Sequence, residues 1–191
     1  MQSGNAGLFW PVVAVIAFID VITKAVAVRL LVPQRVPHEV IGEAVRFTLV
    51  YNPGAAFGLH VGPYSRWVFM TLTVVALAIL AWLYQSTRQG HFSRVLALAL
   101  VCGGAIGNLI DRVRSEVGVV DFIDVGFGDS RWPTFNVADM AVSMGAFLLA
   151  WVLWEDDQIA HPQAAHPAVA PTTASAAPSA MRREPEPGEA S

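Results

Sequence analysis

Four long apolar runs alternate with polar connections along the chain: Leu8–Leu31, Trp67–Tyr84, Phe92–Ile110 and Phe135–Trp154. Each has the length, roughly 20 residues, that a helix needs to cross hydrocarbon. Four crossings would return both ends of the chain to the same side. Pro33 to Pro63 forms the first long connection, and within it Val45-Arg-Phe-Thr-Leu-Val-Tyr51 has the β-branched and aromatic content of a strand. Asn52-Pro-Gly-Ala-Ala-Phe-Gly58 follows, where Pro and Gly end regular pairing and predict a turn. Pro53 biases Asn52 towards an extended backbone. A second strand is predicted over 117–127. Its period of two places Asp121 and Ile123 on one face and Phe122 and Asp124 on the other, so only one of these two acids can face a shared cleft.

Composition supports a membrane protein. The chain has 191 residues, of which 54% are hydrophobic and only 14% charged, too apolar a balance for an ordinary soluble domain. One Lys and eleven Arg are scattered over loops and tail against a net charge of −3, leaving no basic stripe, and nucleic-acid binding is excluded. The single cysteine, Cys102, allows no internal disulfide and reads as a small packing residue in the third span. No Lys or Arg precedes Lys24, so the basic start of a cleaved leader is missing and the first span is expected to stay in the protein. The connection Gln85–Arg94 carries Arg88 and Arg94 without an acid, as a cytoplasmic hairpin would. The opposite side carries Arg35, Arg46 and Arg66, so charge counting leaves the orientation open. Beyond Glu155 the chain turns to Ala, Pro, Thr, Ser and Glu, with His-Pro and Glu-Pro dipeptides. That composition cannot bury enough apolar area to fold, and residues 158–191 are expected to be a disordered tail behind a single membrane domain over 1–157.

Polar residues inside the apolar runs carry the chemistry, because an ionisable group at membrane depth is costly and points to function. Asp20 and Lys24, at i and i+4, can pair on one helical face. Lys24 and Arg29 are expected to snorkel to water, whereas the short carboxylate of Asp20 must find partners near the membrane face. Gly103 and Gly107 are spaced for close helix packing. Asn108, Asp111 and Arg112 share a face one turn further on, where Arg112 could pair with Asp111. Asn136 and Asp139 are again i and i+3, so the amide can reach whatever the carboxylate binds.

Most reaction classes fail on placement. A cysteine peptidase needs a thiol beside a His, yet Cys102 lies deep in a span while His38, His60, His91, His161 and His166 lie in loops or tail. Metal ligands at His-x-x-x-His or similar spacing are missing. A Ser–Lys pair could use only Lys24, and of the serines only Ser143 lies well inside a span, one turn deeper than Asp139. What remains is a carboxylate pair, read as Asp121 with Asp139, in which close like charges keep one proton between them. The competing class is a small transporter whose Asp20, Asp111 and Asp139 relay protons or cations. A pathway needs polar groups at several depths, whereas here they gather at one level and the second span has none.

Asp20 with Thr23-Lys24, Asn52-Pro-Gly-Ala-Ala-Phe57, Gly103-Gly-Ala-Ile-Gly-Asn-Leu-Ile-Asp-Arg112, Val119-Val-Asp-Phe122 and Phe135-Asn-Val-Ala-Asp139 resemble, in order and spacing, the signature blocks of the lipoprotein signal peptidases, or signal peptidases II. The resemblance implies an all-α membrane protein of four transmembrane helices with a small extracytoplasmic β-cradle, built from loops 32–66 and 111–134. It also implies a multi-pass aspartic endopeptidase of the bacterial inner membrane, with both termini cytoplasmic and the active site near the extracytoplasmic face. Such an enzyme removes signal peptides from diacylglyceryl-modified prolipoproteins by cutting before the lipidated cysteine, among membrane lipids and without a cofactor or metal. The family's catalytic aspartates fall on Asp121 and Asp139. Its supporting polar residues fall on Asp20, Asn52, Asn108, Asp111, Arg112 and Asn136. Pro53 stands where Thr is expected and Met140 where a small residue is usual.

Overall fold

A computed structural model describes residues 3–54 and 62–160. In chain order it contains helix α1 (Ser3–Leu30), strands β1 (His38–Ile41) and β2 (Val45–Asn52), and a short 3-10 turn (Gly62–Tyr64). Helices α2 (Ser65–Ser86) and α3 (Phe92–Arg114), strands β3 (Val119–Phe127) and β4 (Ser130–Arg131), and helix α4 (Val137–Ala160) complete it. All four α-helices are long and apolar enough to cross a membrane. The Ala55–Gly58 part of the expected turn and residues 161–191 of the expected tail lie outside the described residues.

The helices outrun the apolar runs that predicted them. The third continues past Ile110 through Arg114 because Asp111 and Arg112 find partners inside the fold, and the fourth carries Glu155, Asp156 and Asp157 as a polar extension to Ala160. The third helix packs against the other three. Its Gly103 lets Ile16 of α1 close on the backbone, and a side chain at Gly104 would run into the Ala138 carbonyl of α4. At Gly107 an added Cβ would lie 2.6 Å from Oδ2 of Asp20. The small-residue stripe thus brings α1 and α4 onto α3 at backbone distance, as expected where helices associate by close packing. Towards the other end, Phe9, Val13, Leu80, Val95, Leu98, Ala99 and Cys102 form the buried apolar core. Cys102 packs there, as anticipated.

The start of α1 and the last turns of α4 lie by the α2–α3 hairpin: Asn5 Nδ2 donates to the Arg88 carbonyl at 3.1 Å, and Arg94 pairs with Asp156 at 3.9 Å. At the opposite end sits one antiparallel sheet of order β1-β2-β3-β4. Its central register pairs Val50 with Asp121 and Asn52 with Val119. Gly118, at φ +121°, enters β3 so close to the Asn52 carbonyl that no Cβ fits. The short outer strands β1 and β4 lacked the length or alternation to be read beforehand. As the period of two requires, Asp124 points away from Asp121. It accepts hydrogen bonds from Thr48 at 3.0 Å and Arg131 at 2.8 Å, tying the β3–β4 connection to the sheet.

Candidate active site

The start of α4 is built by a reciprocal cap. Asn136 precedes the first helical residue, and its Oδ1 accepts the backbone N–H of Asp139 at 2.9 Å. In return, Oδ2 of Asp139 accepts the Asn136 N–H at 3.2 Å. Each side chain satisfies a backbone donor that the helix itself cannot. A third donor of this turn, the Ala138 N–H, goes to Oδ1 of Asp20 on α1 at 2.9 Å. Asp139 is therefore fixed at both ends of its own turn, and a carboxylate there also meets the positive end of the helix dipole.

Asp121 is delivered by β3. Its Oδ2 accepts from Asn52 at 3.1 Å on the neighbouring strand, and its Oδ1 accepts from Asn136 Nδ2 at 2.7 Å. Asn136 thereby touches both acids. On the other side, Asn108 donates through Nδ2 to Asp139 Oδ1 at 2.8 Å and accepts at Oδ1 from Lys24 at 2.9 Å. Lys24 also pairs with Asp20 at 2.8 Å and with Asp111 at 2.9 Å, so its three donors all have acceptors. Asp111 in turn accepts the Val120 N–H at 3.1 Å, holding β3 against α3.

All eight residues singled out in the sequence, Asp20, Asn52, Asn108, Asp111, Arg112, Asp121, Asn136 and Asp139, meet in or directly behind one cleft. Two expectations need correction. Lys24 does not snorkel: it is 2% exposed and is the hub that joins α1 to α3. Arg112 does not pair with Asp111. It donates to the Asn108 carbonyl at 3.2 Å and lies 5.8 Å from the Phe69 ring, facing the cleft. Lys24 is also the site residue that sequence reasoning passed over. Its signal was present in the Asp20 spacing and in the polar face of the third span, which needed a cation opposite it.

The cleft holds about 350 Å3 and is lined by Asn52, Gly54, Phe69, Arg112, Asp121 and Asp139, with Trp132 to Phe135 as one wall and Val142 and Ser143 as its deep end. Burial, and then the charge of Asp139, push the Asp121 carboxyl up to about 7, against the opposing pull of its hydrogen bonds to Asn52 and Asn136. Asp124 moves the other way. Burial alone would raise it, but the hydrogen bonds from Arg131 and Thr48 and the charges of Arg131 and Arg46 outweigh that and hold it below its ordinary value. Among the described residues no group of three or more His, Cys, Asp or Glu side chains is arranged to hold a metal ion. The transporter reading finds no support, since the linked polar groups lie at one end of the spans.

The sequence model of the family described as signal peptidase (SPase) II matches residues 12–155. The chain is similar to the lipoprotein signal peptidase of Pelotomaculum thermopropionicum, 43% identical over 145 residues that cover 76% of this chain and 90% of that one. Likewise it is 41% identical over 149 residues to the lipoprotein signal peptidase of Syntrophotalea carbinolica, covering 76% and 89% of the two chains. Its fold is similar to that of a solved bacterial membrane enzyme, with a TM-score of 0.71 at 30% identity, covering 79% of this chain and 90% of the other.

Proposed function

This chain belongs to the signal peptidase II family, and on that premise we propose that Asp121 and Asp139 are the catalytic dyad with which it cuts diacylglyceryl-modified prolipoproteins before the lipidated cysteine. It is a multi-pass peptidase of the bacterial inner membrane that processes prolipoproteins. One observation carries the dyad: all four carboxylate oxygens accept from asparagine side chains or a backbone N–H, and among the described residues no cation lies within ion-pair distance of either acid. Two close carboxylates that lack a direct ion pair favour keeping one proton between them. Asp121, raised to about 7, keeps the proton, and Asp139 is the base.

A water held between them loses a proton to Asp139 as its oxygen attacks the scissile carbonyl. Asp121 gives its proton to the carbonyl oxygen as the tetrahedral intermediate forms. Asp139 then passes its proton to the amine nitrogen while a hydroxyl of the intermediate returns one to Asp121, so that the C–N bond breaks, the signal peptide leaves as a carboxylic acid and the dyad is restored. Arg112 faces the same cleft, and its buried Nε has no partner, so it is placed to hold the substrate carbonyl. Asn108 and Asn136 orient the two carboxylates. No step draws on a cofactor, metal or nucleic acid.

The sheet end of the bundle is extracytoplasmic in this reading and both termini are cytoplasmic, since a signal peptide crosses the membrane with its cleavage site on the outer side. The lipid chains of the substrate lie among membrane lipids, and each buried methylene adds about 0.8 kcal/mol of affinity. Purified protein in detergent should cleave a diacylglyceryl-modified prolipoprotein. Asp121→Asn and Asp139→Asn should each be inactive yet folded, and EDTA should have no effect. Chelator inhibition with rescue by a divalent cation would replace the dyad with a carboxylate metal site.

A further inference from the structure

We propose that Ser143 is a substrate-binding residue whose hydroxyl donates to a backbone carbonyl of the signal peptide about two residues upstream of the scissile bond. The inference rests on the dyad reading above and extends it down the cleft.

Hydroxyls inside a span normally fold back on their own helix, since hydrocarbon offers no other acceptor. Thr23 does so onto the Ile19 carbonyl at 2.8 Å and Thr73 onto the Phe69 carbonyl at 2.7 Å. Among the described residues, Thr71 and Ser143 are the hydroxyls well inside a span that donate to no acceptor, and of the two only Ser143 lines the cleft. Thr134, another cleft hydroxyl, sits on the loop before α4, outside the spans, where water can serve it. Ser143 is exposed and opens onto the cleft. Its hydroxyl has to be satisfied by whatever fills the cleft.

Depth and direction identify that group. Ser143 lies four residues beyond Asp139 along α4, about 6 Å deeper at the helical rise of roughly 1.5 Å per residue. An extended peptide advances about 3.3 Å per residue, so Ser143 falls about two residues from the bond at the dyad. A signal peptide runs from its cytoplasmic start to the cleavage site at the outer face, and the residues deeper than the scissile bond are therefore those upstream of it. Their backbone carbonyls are the acceptors available at this depth, and a hydroxyl can reach one without demanding a particular side chain. Val142 beside it supplies an apolar neighbour, so the deep end of the cleft pairs one donor with apolar surface.

The test compares steady-state kinetics of Ser143→Ala, Ser143→Val and Ser143→Thr on a synthetic diacylglyceryl-modified prolipoprotein peptide. The scale of one net hydrogen bond gives an expected rise in KM of about three- to ten-fold for Ala and Val with kcat unchanged, and Thr should restore KM. A second arm uses peptides in which the amide carbonyl two residues upstream of the cut is replaced by the weaker acceptor of an ester. The wild type should lose affinity for the ester peptide, and Ser143→Ala should show no further loss. Fully additive losses, or a fall in kcat at constant KM, would overturn the assignment. Failure of the dyad itself would instead appear as activity in Asp121→Asn or Asp139→Asn, whatever the Ser143 variants do.

Discussion

Lys24 reaches Asp139 through a single side chain: Nζ lies 2.9 Å from Oδ1 of Asn108, and Nδ2 of that asparagine donates to Asp139 at 2.8 Å. A cation with no direct contact to the dyad thus sets which way the Asn108 amide faces, and with it the donor that Asp139 receives.

Replacing Lys24 by Met should therefore damage both fold and catalysis. The substitution keeps the volume but strands Asp20 and Asp111 without their cation, and breaking a buried pair in this way costs about 3–5 kcal/mol. Thermal melting in detergent should show a large drop, and kcat should fall in the fraction that remains folded. Normal melting with normal kcat would mean that Lys24 is a spectator.

Asp124→Asn separates the two acids of β3. Asp124 is bound by Thr48 and by Arg131 on the face away from the cleft, so most activity should survive. Stability should drop by about 1–3 kcal/mol, because a charged hydrogen-bond acceptor is lost from a partly buried cluster. An inactive but fully stable Asp124→Asn would move the dyad to the other face of the strand.

The rate should follow a bell in pH whose alkaline limb falls through about 7, where Asp121 loses its proton. The same shift acts on stability. The folded-state value lies above the ordinary carboxylate value of 3.8, so the folded protein holds this proton more tightly than the unfolded chain. The resulting stabilisation is complete below about 4 and is lost as pH rises through about 7. Asp121→Asn should flatten the melting profile over that window. A wild-type rate still rising above pH 9 would contradict the assignment of Asp121 as the acid.

Gly104→Ala tests the helix seam. Its Cβ would run into the Ala138 carbonyl next to the dyad-bearing turn, and overpacking of this kind costs about 1–3 kcal/mol. Melting should report the loss, with kcat reduced because Asp139 moves with Ala138.

The spans were readable because each is one long apolar run, and Asp139 stood out because a carboxylate in such a run has few structural excuses. The alternation Asp121, Phe122, Ile123, Asp124 also told in advance that the two acids of this strand lie on opposite faces, as they do. Lys24 was misread for a physical reason: a lysine near the end of a span has a cheap alternative in reaching water, and only the tertiary meeting of α1 with Asn108 and Asp111 removes it. The pairing of Arg112 failed likewise, since its neighbour Asp111 was already claimed from another helix. β1 and β4 escaped notice because two to four residues, held by pairing with longer strands, carry too little pattern of their own.

The bond from the Ala138 N–H to Asp20 joins positions separated by 118 residues, and it has a consequence for biogenesis. While the chain is being synthesised, the first three helices and the strand carrying Asp121 can all be in place before the turn that bears Asp139 leaves the ribosome. Until that turn arrives, Asp20 has no amide to receive and Asp121 has no second carboxylate to share a proton with. With the dyad proposed above, the nascent protein holds no cutting centre during insertion, and neither its own first span nor neighbouring precursors meet an active peptidase until the last helix is threaded into the bilayer.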